Sequence, residues 1–212
     1  MIYYLLFPLL IFITSYFIKK KKFFLNKNQL DHQKFVNLKI PLIGGYFLII
    51  PIIILFYQIN FFFSIIVLLT FILGIFSDFN ILSSPKKRFF IQLLLILIFV
   101  LFKKIEVLPT RIDYIDRNFI NTYWSYFFTV FCLMILVNGS NFIDGLNGLL
   151  LGYLTIILFV IYKLNLFSFT GIYEDKIIFL LYTFLVVLIF NLFNQFFIGD
   201  SGAYSLSLFI GF

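Results

Sequence analysis

Apolar stretches of bilayer-crossing character recur from one end of this chain to the other, and they leave little choice of fold. In hydrocarbon no water satisfies backbone N–H and C=O groups, so a spanning segment closes its hydrogen bonds internally, as an α-helix does. A span needs about 20 mostly apolar residues. Candidates lie near 2–18, 42–57, 61–76, 89–102, 122–137, 148–162 and 177–190, with a shorter eighth between Ser201 and Phe212. Hydrophobic residues make up 63% of the 212 and charged ones only 12%, at a mean hydropathy of +1.10, which excludes the soluble globular classes. The expectation is all-α: a polytopic transmembrane bundle of about seven to eight spans, one integral-membrane domain over 1–212, truncated at its carboxyl end. The 34 Phe are read as lipid-compatible filler. The stretch 2–18 has no basic segment before it and no small-residue cleavage site, so it is a span rather than a signal peptide. Cys132 is the single cysteine, which excludes an internal disulfide, and no Cys/His spacing resembles a zinc site.

Charge sets the expected orientation. Seven Lys fall between Lys19 and Lys39, and Lys86, Lys87 and Arg88 follow the third span, whereas 103–121 mixes basic with acidic residues. The positive-inside rule puts the first two segments in the cytoplasm and the amino terminus outside. Ten basic residues then lie inside and six outside. On that count Asp78, Asp144 and Asp200 all lie on the cytoplasmic side, each alone at the end of an apolar run. A charge at membrane depth costs about 2.5–3.5 kcal/mol on insertion scales, so three such carboxylates point to a polar site.

Three polar inserts carry the candidate chemistry. In Asn138-Gly-Ser-Asn141-Phe-Ile-Asp144-Gly145-Leu-Asn147-Gly148, amides and a carboxylate recur at three-residue spacing. Helical geometry places Asn138, Asn141 and Asp144 on one face, and Gly145 and Gly148 permit close backbone approach. The plainer reading is a capping turn, with Asp144 or Asn147 at the start of the next helix. In Phe197-Ile-Gly199-Asp200-Ser201-Gly202 a carboxylate between glycines suits a divalent cation, since Mg²⁺ is commonly held by one or two carboxylates plus substrate phosphates; Asp200 or Ser201 capping the last helix is the alternative. The third is Ser77-Asp78, followed by Lys86-Lys87-Arg88 and Gln92, where the basic residues read as anchors of the next span. Gly44-Gly45 after Pro41 reads as a turn, or as open backbone N–H groups for a phosphate. His32 is assigned no role.

In that order, Pro41-x-x-Gly44-Gly45, Gly74…Asp78…Arg88…Gln92, Asn138-x-x-Asn141-x-x-Asp144-Gly145-Leu-x-Gly148 and Phe197-x-Gly199-Asp200-Ser201-Gly202, the chain resembles the polyprenyl-phosphate N-acetylhexosamine-1-phosphate transferases. The likeness covers about Asp31 to Phe212. It implies that undecaprenyl phosphate takes sugar 1-phosphate from a UDP-N-acetylhexosamine, with UMP released, at the cytoplasmic face of the bacterial inner (plasma) membrane, as a first step of cell-wall or lipopolysaccharide assembly. It implies Mg²⁺, or Mn²⁺ in its place, held by Asp200. The resemblance makes Asp78, Asp144 and Asp200 catalytic, with Asp78 at the lipid phosphate. Asn138, Asn141, Gly145, Asn147, Phe197 and Lys34 become the substrate-binding residues, Phe197 packing on the uracil. The implied partners are membrane lipids, a homodimer being left open, and no nucleic acid. The chain departs from the family pattern at Ser77, where a second aspartate is expected, at Asn147, where many relatives carry aspartate, and in the histidine loop, which is absent before Phe212. A cation-coupled transporter and an inactive prenyl-phosphate-binding relative are the competing readings; the first predicts acidic residues at mid-span and related half-sequences, and neither occurs.

Overall fold

The computed structural model describes residues 2–21, 40–57, 59–105, 111–119, 122–164 and 171–211. Among these, α1 (Ile2–Lys21), α2 (Gly44–Phe56), α3 (Phe61–Asp78), α4 (Pro85–Lys103), α5 (Asp113–Phe119), α6 (Thr122–Ile143), α7 (Leu149–Lys163), α8 (Gly171–Leu192) and α9 (Gly199–Gly211) follow in order. Every apolar run expected to span is helical. Phe61–Asp78, Tyr123–Ile143 and Asp175–Leu192 are long and apolar enough to cross a membrane, while Gly44–Phe56 and Leu149–Lys163 are apolar but shorter. The chain is therefore a helical membrane protein, and among the described residues three helices are long and apolar enough by themselves to cross a bilayer. Short polar connectors take residues from the helix ends, and three charges occupy the first turn of α4.

Local chemistry sets the boundaries. Asn60 accepts the N–H of Phe63 at 3.2 Å and starts α3, as a short side-chain acceptor does at an N-cap. Pro85 opens α4 after an extended Ser84, where its missing N–H is no loss. Lys104, at φ 51°, closes the helix in the left-handed region.

The short α9 lies at the centre. Its residues from Ser201 to Phe209 are all buried, and it packs against α3, α6, α2 and α7. Small residues make this approach feasible: a Cβ on Gly45 would come within 2.6 Å of Gly202 Cα, and one on Gly74 would collide with Ser201. The buried hydroxyls of Ser205 and Ser207 donate to the carbonyls of Ser201 and Ala203 at 2.7 and 2.6 Å, so these two hydroxyls are satisfied within α9 itself. Phe12, Ile54, Phe102 and Phe127 stay exposed, as befits an outer surface facing lipid tails.

The Gly44-Gly45 backbone is not open to a phosphate. Gly44 N–H donates to Phe197 O at 2.8 Å and Gly45 N–H to Ile198 O at 3.2 Å, while Phe197 N–H returns to Pro41 O at 3.0 Å. This pairing ties the entrance of α2 to that of α9 and spends the donors that a bound anion would need.

Candidate active site

Three connectors and one helix start meet where α3 ends and α9 begins. Asp78, the last residue of α3, takes the N–H of Asp200 at 2.8 Å and that of Ser201 at 3.1 Å. The first turn of a helix leaves unsatisfied N–H groups and a partial positive charge. Asp78 answers both for α9 from a different helix, so neither Asp200 nor Ser201 serves as its cap. Gly199, at φ +78°, brings the backbone so close that a Cβ there would lie 2.8 Å from Asp78 Oδ2; this glycine is required by conformation and by space.

Freed from capping, Asp200 turns its carboxylate to other partners. Arg88 Nη1 lies 2.8 Å from Asp200 Oδ2, Ser77 donates to the same oxygen and itself accepts from Arg88, and Tyr204 Oη donates to it at 3.4 Å. Asn141 Nδ2 reaches Tyr204 Oη at 3.4 Å. Arg88 is thus an inward site residue rather than an anchor at the membrane surface. The missed signal was helical spacing: Arg88 precedes buried Gln92 and Ile96 at four-residue intervals, which puts it on the inward stripe of α4.

Asp144 follows the end of α6 and keeps part of its surface open. Its carboxyl is nonetheless held well above the usual carboxylate range, first by desolvation, then by the charges of Asp200 and Asp78, while a hydrogen bond from the Gly199 backbone pulls the other way. The three expected aspartates therefore share one electrostatic neighbourhood. They do not form a single cage: no group of three or more His, Cys, Asp or Glu side chains among the described residues is placed to hold one metal ion.

The other expected residues divide. Asn138 donates to Met134 O in its own helix at 2.9 Å. Asn147 donates to Asn194 Oδ1, and Gly145 lies in the turn between α6 and α7. Neither Asp144 nor Asn147 caps α7; its start is Gly148, at φ +76°, whose N–H goes to Asn191 Oδ1 at 2.7 Å. Asn191 also donates to Phe196 O at 2.8 Å, which makes it the tie between the two site connectors. Lys19, at the end of α1, adds a hydrogen bond of 2.8 Å to Gln195 Oε1. Phe197 is buried against Ile40 and Leu42. Lys34 lies outside the described residues.

The donor set is hard oxygen, which suits Mg²⁺. Asp78 is committed to backbone donors, but among the described residues no donor engages Asp200 Oδ1. One such carboxylate with Asp144 in the same neighbourhood fits the usual mode of one or two carboxylates completed by phosphate oxygens and water.

The model of glycosyl transferase family 4 matches residues 60–212, which takes in α3 to α9 and every residue of this cluster. The chain belongs to glycosyl transferase family 4. This family 4 chain is 29% identical over 181 residues to a phospho-N-acetylmuramoyl-pentapeptide-transferase of Dictyoglomus turgidum (strain DSM 6724 / Z-1310), an alignment covering 80% of the chain. The chain spans 57% of that relative's length. No solved structure matches it significantly.

Proposed function

We propose that this chain forms the membrane core of a polyprenyl-phosphate sugar-1-phosphate transferase. An oxygen of undecaprenyl phosphate attacks the sugar-bearing phosphorus of a UDP-N-acetylhexosamine. The bond from that phosphorus to the bridging oxygen of the diphosphate breaks, and UMP leaves with that oxygen. The single observation that carries this reading is the meeting of Asp78, Asp144, Asp200 and Arg88, drawn from the end of α3, the connector after α6 and the first turns of α9 and α4, at one end of the helical bundle.

Phosphoryl transfer asks mainly for positioning and charge neutralisation. Asp200, with Asp144 near it, would hold Mg²⁺, which supplies neutralisation of the diphosphate charge when bound. Arg88 offers a guanidinium suited to phosphate oxygens, and Asp78 keeps the entrance of α9 in place beneath them. A groove of about 400 Å³ between α4 and α6 begins at Phe89, next to Arg88, and is continued by Leu93, Leu97 and Leu101 against Val130 and Met134. An apolar trough that starts one residue from Arg88 suits a prenyl chain, which supports a lipid acceptor over a soluble one. The reading carries with it seven to eight spans in one domain, an outside amino terminus, the bacterial inner membrane and a role in envelope glycan assembly.

The test is UMP release from UDP-N-acetylhexosamine. Release is expected to require undecaprenyl phosphate and Mg²⁺, and Asp200→Asn is expected to lower it by at least about 10²-fold, the scale of losing a principal charge-stabilising group. Release that survives in Asp200→Asn refutes the metal assignment.

A further inference from the structure

One helical turn beyond Arg88 on α4, Gln92 is 1% exposed and lies on the inward stripe with Ile96, Phe99 and Val100. Neither atom of its amide has a hydrogen-bond partner, and the same holds for Arg88 Nε. Buried side-chain donors and acceptors are almost always satisfied, so orphans that gather in one place mark a partner. Residues four apart on a helix are neighbours, and a long helical side chain leans back over the preceding turn. Both rules put the Gln92 amide and the Arg88 guanidinium on one side of α4, a turn apart.

We propose that Gln92 is a positioning residue for Arg88: its amide oxygen receives the Nε–H through one buried water and holds Nη1 against Asp200. A guanidinium held at Nε keeps its planar fork in one orientation, which is what bidentate capture of a phosphate requires. A glutamine at this place in an otherwise apolar stripe serves that fork; a leucine or methionine would pack as well without leaving an amide to satisfy. The catalytic consequence rests on the transferase reading, whereas the geometry does not.

The experiment uses the full 212-residue chain in detergent, labelled with ¹⁵N-arginine. The chain has three arginines, Arg88, Arg111 and Arg117, and the Arg88 Nε–H resonance is assigned by its loss in Arg88→Lys. Gln92→Met keeps length and volume and removes the acceptor. It is expected to leave the thermal midpoint unchanged or raised and to move the Arg88 Nε–H resonance upfield, as a donor that has lost its acceptor does. Gln92→Glu, which restores an acceptor oxygen, is expected to return the resonance downfield. If Gln92→Met does not fold, Gln92→Asn gives the same reading, because its shortened amide falls out of reach. An Arg88 resonance that stays in place in the folded variant overturns the proposal. In turnover, Gln92→Met is expected to lower kcat on the order of tenfold at unchanged donor KM, and to have no further effect in an Arg88→Lys background. Additive losses overturn it equally. A wild-type chain that releases no UMP counts against the transferase reading alone, because the resonance shift is measured without turnover.

Discussion

Asp144 shows how a single side chain sets a measurable dependence. Its folded carboxyl is held well above the ordinary range by desolvation and by the charges of Asp200 and Asp78, while an unfolded aspartate titrates near 3.9. Between those two values the folded chain binds more protons than the unfolded one, so stability is greatest below the unfolded value and falls as pH rises through the folded one. In metal-free buffer the thermal midpoint is expected to drop as pH climbs from about 4 toward neutrality. Asp144→Asn is expected to flatten that slope and to be the more stable protein at pH 7; a slope equal to the wild type's would contradict the assignment. Arg88 acts at the same scale in another way. It sits beside Asp200 at 2.8 Å and is the one cation hydrogen-bonded to the described carboxylate cluster. Sequence grouped it with Lys86 and Lys87 because all three are basic neighbours, but on a helix only every third or fourth residue shares a face.

At the scale of elements, α9 depends on a partner helix for its beginning. Asp78 supplies the acceptors for two N–H groups in its first turn. Asp78→Ala removes both and is expected to destabilise the protein by about 1–3 kcal/mol, the usual cost of stranding hydrogen-bond partners of a charged group. Asp78→Asn keeps one carbonyl acceptor and is expected to lose less, as read by thermal unfolding in detergent. Equal midpoints for Asp78→Ala and the wild type would remove the capping role. The same element explains the glycines. Gly45 faces Gly202 so closely that a Cβ on the first would stand 2.6 Å from the Cα of the second, and Gly199 needs its positive φ to aim the helix start at Asp78. These requirements come from contacts between residues far apart in the chain, so nothing beside them in sequence announces them.

For the whole molecule, the expectation concerns sidedness. Cysteines introduced one at a time at 80, 146 and 195, beside Asp78, Asp144 and Asp200, in a chain whose Cys132 has been replaced, are expected to label from the same side of the membrane. Labelling of any one from the opposite side would break the shared site. What the sequence determined by itself is the helical class, the position of nearly every helix, the family motifs and the three aspartates, because a bilayer allows a spanning backbone few ways to satisfy its hydrogen bonds. What only the tertiary structure decided is who meets whom: Asp78 with the start of α9, Arg88 with Asp200, Asn191 with Gly148, and Gly44 and Gly45 with the Phe197 and Ile198 carbonyls. The physical reason lies in the solvent. Lipid tails are as apolar as the protein interior, so outward and inward faces of these helices carry the same kinds of residue, and the periodic pattern that orients a helix in water is too weak here to say which side turns toward the site.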